Sequence, residues 1–357
     1  MNLSFITQER LLKAKMAYTP RNQKLESVVT LMNGANVVPR AGDLVLARVA
    51  RIGHHSGLEL AHGRRAALFV GDEIIVCYGN RYAPDQYEAH VPDDLGPCDL
   101  VASGGIAARM NYRHASVKAP TEIEPIGLLA DSDHRRINIK NTALPKLVNL
   151  FPRPYTVGVF GTSMNAGKTT TAACMIRGLV NAGFRVGAAK ITGTGSGRDT
   201  WLMTDAGSQL TLDFTHAGYP STYLLSAEQI DQIIEILITN LSAANIDAIV
   251  VEVADGLLQR ETAALLNSKV FAKNIDSLIF AAGDAMGAVA GAELLEQKKL
   301  PLTAISGRLT ASPLAIFETE KALGLPVLDK AALSAGTIAD ILQVQQKQPL
   351  GHSVLAG

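Results

Sequence analysis

The sequence predicts an α/β protein in two parts. The C-terminal part, residues 151–357, is expected to be a domain with a mostly parallel sheet and helices on both faces. The smaller part, residues 1–150, is expected to be β-rich and barrel-like. Three observations carry this reading. Short β-like runs follow one another between about residues 37 and 130. Strand-like and helix-like runs alternate after residue 154. Between these regions Phe151-Pro152-Arg153-Pro154 places two prolines in three residues, a semi-rigid joint.

In the first part, Leu44–Val49, Ala66–Val70 and Glu73–Tyr78 are closed by Gly53, Gly71-Asp72 and Gly79-Asn80. Strands this short and closely spaced belong to a small barrel or curled sheet rather than to βαβ units. Residues 1–36 contain a candidate helix followed by an Asn33-Gly34 turn. In the second part, Tyr155–Phe160 reads as a strand, Thr169–Ala182 as a helix and Arg185–Lys190 as the next strand. Ser226 with Gln229 three residues on is a capping box. The helix it opens carries Ile230, Ile233, Ile234, Leu237 and Leu241 on one stripe. Asp247–Val253, Ser277–Ala281, Pro301–Ile305 and Leu325–Leu328 read as further strands with helices between them, the pattern of a parallel sheet covered on both faces.

Composition narrows the function classes. The 357 residues are 47% hydrophobic and 18% charged, and the 33 Lys and Arg balance 33 Asp and Glu. Such a chain buries a core and is not disordered. With no net field to attract polyanions, neither nucleic acid nor a membrane surface is an expected partner. No run approaches the roughly 18 apolar residues of a membrane span, and the N-terminus lacks a signal-like apolar core. Cys77, Cys98 and Cys174 are widely spaced and fit free thiols in a reducing cytoplasm, the expected location.

The chemistry centres on Val157-Gly158-Val159-Phe160-Gly161-Thr162-Ser163-Met164-Asn165-Ala166-Gly167-Lys168-Thr169-Thr170. An apolar strand runs into a glycine loop, and Gly-Lys-Thr-Thr opens a helix. A polyphosphate needs several backbone N–H donors converging on it, which the open first turn of a helix supplies. Gly161, Thr162, Asn165, Ala166, Gly167, Lys168, Thr169 and Thr170 are therefore expected to bind a nucleotide. Gly167 lets the backbone approach, Lys168 reaches the terminal phosphates and the Thr169 hydroxyl holds Mg²⁺. The usual pattern has glycine where Thr162 stands; here the glycine sits one position earlier, at Gly161.

Gly161-Thr162 followed by Gly167-Lys168-Thr169 resembles the loop of dethiobiotin synthetase and the cobyrinic acid amidating synthases. These belong to the SIMIBI branch of P-loop proteins that includes the MinD, nitrogenase iron-protein and MobB families. The resemblance covers about residues 155–330. It implies ATP and Mg²⁺ as cofactors, Lys190 as the lysine ending the second strand, and Glu252 as the metal carboxylate, with Asp255 as its understudy. The Gly-Ala-Gly-Gly that follows this glutamate in dethiobiotin synthetase is absent from Val250-Val251-Glu252-Val253-Ala254-Asp255-Gly256, so the substrate is expected to differ. Members with a conformational role usually carry an extra lysine early in the loop, and Gly161–Asn165 has none.

Thr192-Gly193-Thr194-Gly195-Ser196-Gly197-Arg198-Asp199-Thr200-Trp201 follows the strand ending at Lys190, and so falls at the carboxyl edge where α/β sheets bind ligands. Arg198 is a candidate clamp for an anionic substrate. Asp199, Asp205 and Asp213 are candidates to orient a nucleophile, with Asp205 also a candidate metal ligand. A second glycine-bearing exit, Gly283–Gly287, falls on the same edge. Ser306–Pro313 lacks the Asn-Lys-x-Asp pattern that selects guanine, which favours ATP. His54-His55 on a strand would point to opposite faces and not share one metal. Gly79–Glu88 is a polar aromatic loop able to recognise a ligand or to serve as a barrel connection.

The expected function is a Mg²⁺-ATP-dependent kinase or ligase, in which Lys168, Lys190 and Glu252 assist transfer of a phosphoryl group to a small carboxylate or carbamate. The expected assembly is a homodimer or higher oligomer. The rival expectations are a nucleotide-dependent switch or chaperone that delivers a cofactor, a metal or a protein partner, and a non-catalytic nucleotide sensor.

Overall fold

The computed structural model describes residues 2–148 and 151–345; the last residues of the expected C-terminal domain lie outside this range. Five strands of the first half close on themselves. Thr121–Ala130 pairs with Leu44–Arg51, which pairs with Glu73–Tyr78, then Ile106–Arg113, then Cys98–Ala102, which returns to Thr121–Ala130. Closure removes the exposed edges that so short a sheet would otherwise present. Val45, Ala47, Val49, Val76, Tyr78, Leu100 and Leu128 fill one core cluster. Leu44, Leu46, Ile75, Cys77 and Leu129, the alternate residues of the same strands, pack on Ile6, Leu11 and Leu31. That two-sided burial explains the near-continuous apolar runs. Arg81–Tyr82 and Tyr87–His90 form a hairpin that extends the sheet through Ile106–Arg113.

The expected details need two adjustments in this region and one further on. Ala66–Val70 is a strand only over Arg65–Ala67, and Phe69 and Val70 are exposed in the turn that follows. Residues 1–36 hold a short helix, Gln8–Lys13, flanked by strands Asn2–Phe5 and Thr30–Asn33. The two strands pair with each other. In the second half, Leu325–Leu328 makes a single bridge, Val327 to Ile305, instead of a strand.

The second sheet has six strands in the order Leu210–Asp213, Val186–Lys190, Ala248–Glu252, Tyr155–Gly161, Ser277–Ala281, Leu302–Ser306, every ladder parallel. Val159, Val250 and Ile279 pack on one face against Met175, Ile176 and Leu179 of helix Lys168–Asn181. Phe160, Val251 and Phe280 pack on the other against Ile233, Leu237 and Leu241 of helix Ala227–Ala243. The strand order reverses at Tyr155–Gly161, so a crevice opens at its carboxyl end.

The halves meet across the carboxyl edge. Glu59 of the barrel accepts from the Gly197 amide at 2.9 Å and from the Ser196 hydroxyl at 3.2 Å. Tyr18 donates to Asp213 at 3.1 Å, and its hydroxyl lies 2.9 Å from that of Thr200. A Cβ on Gly104 would stand 2.0 Å from the Gly195 carbonyl oxygen, so these backbones touch without room for a side chain.

Candidate functional site

Register aligns the charged groups. Asp213 is level with Lys190, Lys190 with Glu252, and Glu252 with Val159 on the phosphate-loop strand. The strand Tyr155–Gly161 delivers the chain into the loop, and the helix starting at Lys168 leaves it. Gly167 sits at φ 104°, a left-handed conformation that favours glycine. Gly161 leaves space filled by the Lys168 stem, since a Cβ there would meet it at 2.8 Å. The amides of Lys168, Thr169 and Thr170 begin a helix and so have no acceptor within it, the donor set an oxyanion takes. Asn165, at φ 66°, Thr162 and Ala166 complete the turn. The loop is buttressed from Gly307-Arg308, whose Arg308 amide donates to the Ala166 carbonyl at 2.9 Å.

Lys168 is buried, and its ammonium turns back to donate to the Ser163 carbonyl at 2.7 Å. Burial lowers its pKa, opposed by Glu252 and Asp255. Thr169 Oγ1 donates to Glu252 Oε1 at 2.9 Å. Glu252 is 1% exposed, and its other oxygen has no hydrogen-bond partner among the described residues. Burial pushes the Glu252 carboxyl above the usual range, against the pull of Lys190, 3.8 Å away. A hydroxyl beside a buried carboxylate with one unmet oxygen fits the donor set of a hard divalent cation such as Mg²⁺.

Lys190 bonds Asp199 directly. Burial opposes its charge, but Asp199 and Glu252 outweigh that and raise its pKa. Burial likewise opposes ionisation of Asp199, yet the Lys190 ammonium holds its carboxyl below the usual range. The structure therefore brings Lys168, Thr169, Lys190, Asp199 and Glu252 together. Asp255, on the turn after Glu252 at φ 61°, is pushed up by burial, with Lys168 and Lys190 pulling it down.

Other candidates fall elsewhere. Asp205 is exposed and ends the helix Arg198–Asp205, six residues and about 9 Å of helix from Asp199, too far to join Thr169 and Glu252 on one ion. Asp213 is occupied: it accepts from Tyr18, Thr215 and the Thr215 amide and pairs with Arg21 at 3.5 Å, with His216 Nδ1 2.9 Å away. Burial works against its charge, but Arg21 and His216 hold the carboxyl well below the usual range. It ties the halves together and has no free oxygen for a nucleophile. Arg198 is exposed, and so is Thr170, one position past Thr169. The segment from Thr192 to His216 is not an open lid, because the barrel packs on it through Tyr18, Arg21 and Glu59.

Those three residues gave no sequence signal, since their partners lie more than a hundred positions away. In the loop Gly79–Glu88, read from sequence as a ligand-recognising loop or a barrel connection, Asp85 accepts from Asn165 of the phosphate loop at 2.9 Å. Cavities of about 480 Å³ beside Asn33 and Arg109, and about 430 Å³ beside Lys146 and Lys273, include none of these groups. Among the described residues no cluster of three or more His, Cys, Asp or Glu has metal-holding geometry. His54 and His55 lie in a loop with ring centres 5.0 Å apart, not on a strand facing opposite ways as expected. No described helix is long and apolar enough to cross a membrane.

The second half is a parallel α/β sheet in which a glycine loop joins the strand Tyr155–Gly161 to the helix Lys168–Asn181. No family model matches the chain, and no curated protein matches it. Solved structures similar in fold include the 54 kDa signal recognition particle protein of Aeropyrum pernix, in complex with GDP, at 20% identity and TM-score 0.35. They include a DUF1611-family protein of Anabaena variabilis at 16% and 0.40, and the cell division protein FtsY of Thermotoga maritima at 17% and 0.36. The overlays cover 57%, 57% and 58% of this chain, and 49%, 61% and 75% of those chains, so the chain spans about half the length of the first. At these identities the likeness is one of fold.

Proposed function

We propose that this protein binds a Mg²⁺–nucleoside triphosphate at residues 161–170 and uses it to activate a small carboxylate or carbamate, as a kinase or ligase. The observation that carries this reading is Glu252, a buried carboxylate that shares Thr169 and keeps one oxygen unmet at the mouth of the phosphate loop. Mg²⁺ held there would screen the charge of the terminal phosphates. Lys168, released from the Ser163 carbonyl, would reach the same phosphates. Lys190 would remain the counter-charge that keeps Asp199 and Glu252 ionised together. An acceptor oxygen would attack the terminal phosphorus, and the nucleoside diphosphate would leave with the bridging oxygen. Coverage of the edge by the chain's own barrel supports a small acceptor over a macromolecular one.

A second reading, a nucleotide-dependent switch, draws on one contact. Asn165 of the phosphate loop is bonded to Asp85 of the barrel hairpin, so a ligand entering the loop would act on the other half directly. ATP remains the preferred nucleotide on the missing guanine pattern, while one structure of similar fold is a complex with GDP.

Calorimetry of ATP and GTP, each with Mg²⁺, on the protein and on Lys168→Ala tests the binding claim. The expected result is binding that falls at least a hundredfold in the variant at unchanged melting temperature; equal binding by both proteins refutes it. Turnover that rises with small carboxylates supports the enzyme, and turnover that rises only with protein concentration or a macromolecular partner supports the switch.

A further inference from the structure

The hairpin of Arg81–Tyr82 and Tyr87–His90 is joined to the barrel sheet through Ile106–Arg113 and reaches across to the other half. Tyr82 pairs with Glu88 across the hairpin, so their side chains share one face. That face meets Tyr223, whose hydroxyl donates to Glu88 Oε1 at 3.2 Å and whose ring lies 5.5 Å from that of Tyr82. The turn between the two strands carries Asp85 to the phosphate loop, where its Oδ2 accepts from Asn165 Nδ2 at 2.9 Å. The hairpin is thus strapped to the second half at Tyr223 and, through Asp85, at the loop that carries the nucleotide reading.

The second strap works against that use of the loop. It sets a carboxylate on a segment whose amides are to receive phosphate, and like charges brought together repel. The contact is also poorly satisfied in itself. Asp85 Oδ1 is buried and has no hydrogen-bond partner among the described residues, and an unmet carboxylate oxygen costs more inside a protein than in water. Asn165 holds a left-handed conformation, φ 66°, and Lys168 spends its ammonium on the Ser163 carbonyl at 2.7 Å instead of presenting it to a ligand. Release of Asp85 lets water satisfy Oδ1 and takes a negative charge away from the loop. Release and polyphosphate binding therefore favour each other.

We propose that Asp85 is an autoinhibitory latch: its carboxylate holds the phosphate loop through Asn165 and competes with the polyphosphate, so that nucleotide binding drives release of the barrel hairpin. The proposal rests on the nucleotide-binding reading for its ligand, while the tie between hairpin and loop stands apart from that reading. An Asp85 that merely fixed Asn165 in a binding-ready loop would give the opposite sign, because its removal would weaken binding.

Calorimetry of Mg²⁺-ATP, Mg²⁺-GTP and Mg²⁺-tripolyphosphate on the full chain, Asp85→Ala and Asp85→Asn tests the latch, together with hydrogen exchange of residues 161–170 without ligand. Asp85→Ala is expected to bind each polyphosphate at least fivefold more tightly than the wild type. The factor should be the same for all three, because the gain arises at the phosphates and not at a base. Asp85→Asn keeps an acceptor for Asn165 and loses the charge, so it should gain at least twofold, and that gain should shrink as salt is raised. Exchange at residues 161–170 should be at least threefold faster in Asp85→Ala. The asparagine variant keeps the contact, so a poorly folding alanine variant does not remove the test. Equal or weaker polyphosphate binding by both variants overturns the latch and leaves the phosphate-loop reading standing. Absence of binding by all three proteins overturns the phosphate-loop reading and the competition with it. Exchange then reads the tie alone: faster exchange in Asp85→Ala supports it, and unchanged exchange overturns it.

Discussion

Glu252 and His55 show how burial works on single side chains in opposite directions. Glu252 is kept within reach of charge by Lys190 and Thr169. Glu252→Gln keeps the shape and the Thr169 contact but removes the anion a divalent cation needs. Mg²⁺-dependent nucleotide affinity is expected to fall at least tenfold, while binding in chelator stays the same; calorimetry in both buffers reads the difference. His55 is a buried barrel residue. It is 6% exposed, with Nε2 3.0 Å from the Val101 carbonyl. Burial first, then Arg81, His54 and Arg65, hold its pKa down to about 3, against a smaller upward pull from the Val101 bond. The unfolded chain protonates near pH 6.5. It therefore takes up the proton before the folded one does, and the stability present above that pH is lost as pH falls towards 3. The slope is about 1.4 kcal/mol per pH unit for one proton. His55→Gln should flatten the wild-type decline in unfolding free energy between pH 6 and 4, read by urea titration, by roughly that slope, and parallel curves would contradict the assignment.

Helices and strands were the most readable level of the sequence. Ser226 and Gln229 cap as their spacing predicts: Ser226 Oγ accepts from the Gln229 amide at 3.3 Å and Gln229 Oε1 from the Ser226 amide at 2.9 Å. All five residues of the apolar stripe that follows are buried. Local rules sufficed there because caps and stripes involve neighbours within one or two turns. Gly178 is different. It lies inside helix Lys168–Asn181, where alanine would gain about 1 kcal/mol of propensity. Its Cβ, however, would stand 2.2 Å from the Leu333 carbonyl oxygen and 2.9 Å from that of Ala335. Gly178→Ala should therefore destabilise by about 1–3 kcal/mol in urea titration, because overpacking outweighs propensity. Nothing within the helix announces this, since the obstacle comes from a segment 155 positions later. The same cause hid Tyr18, Arg21 and Glu59 and misassigned Asp205 and Asp213.

Across the molecule, Asp213 and Trp201 join the halves. The Asp213 carboxylate, 1% exposed, answers Arg21 and Tyr18 from the barrel. Trp201, the single tryptophan, stands edge-on to Tyr18 with ring centres 6.1 Å apart. Indole emission therefore reports on the junction. Asp213→Ala strands a partly buried arginine, and removing one member of a buried pair typically costs about 3–5 kcal/mol. Trp201 emission and far-ultraviolet dichroism should both shift to lower denaturant by a comparable amount and remain coincident. If only the emission transition moved, the halves would be unfolding separately.

By itself the sequence determined the strand-loop-helix of residues 155–181, the parallel α/β architecture and the β-rich character of residues 37–130. Each follows from periodicity, caps and glycine positions that act over a few residues. It also marked Lys168, Thr169, Lys190 and Glu252, whose positions at strand ends and a helix start are local. Tertiary structure alone decided that Asp199 and not Asp205 stands with them, and that Asp213 holds the halves together instead of facing a substrate. It also brought Asp85 of the barrel hairpin to Asn165 of the phosphate loop. The Asp199 outcome depends on how the loop after Lys190 folds back onto it, and the others on contacts between residues about eighty to two hundred positions apart; charge in a sequence carries no address for a partner that distant.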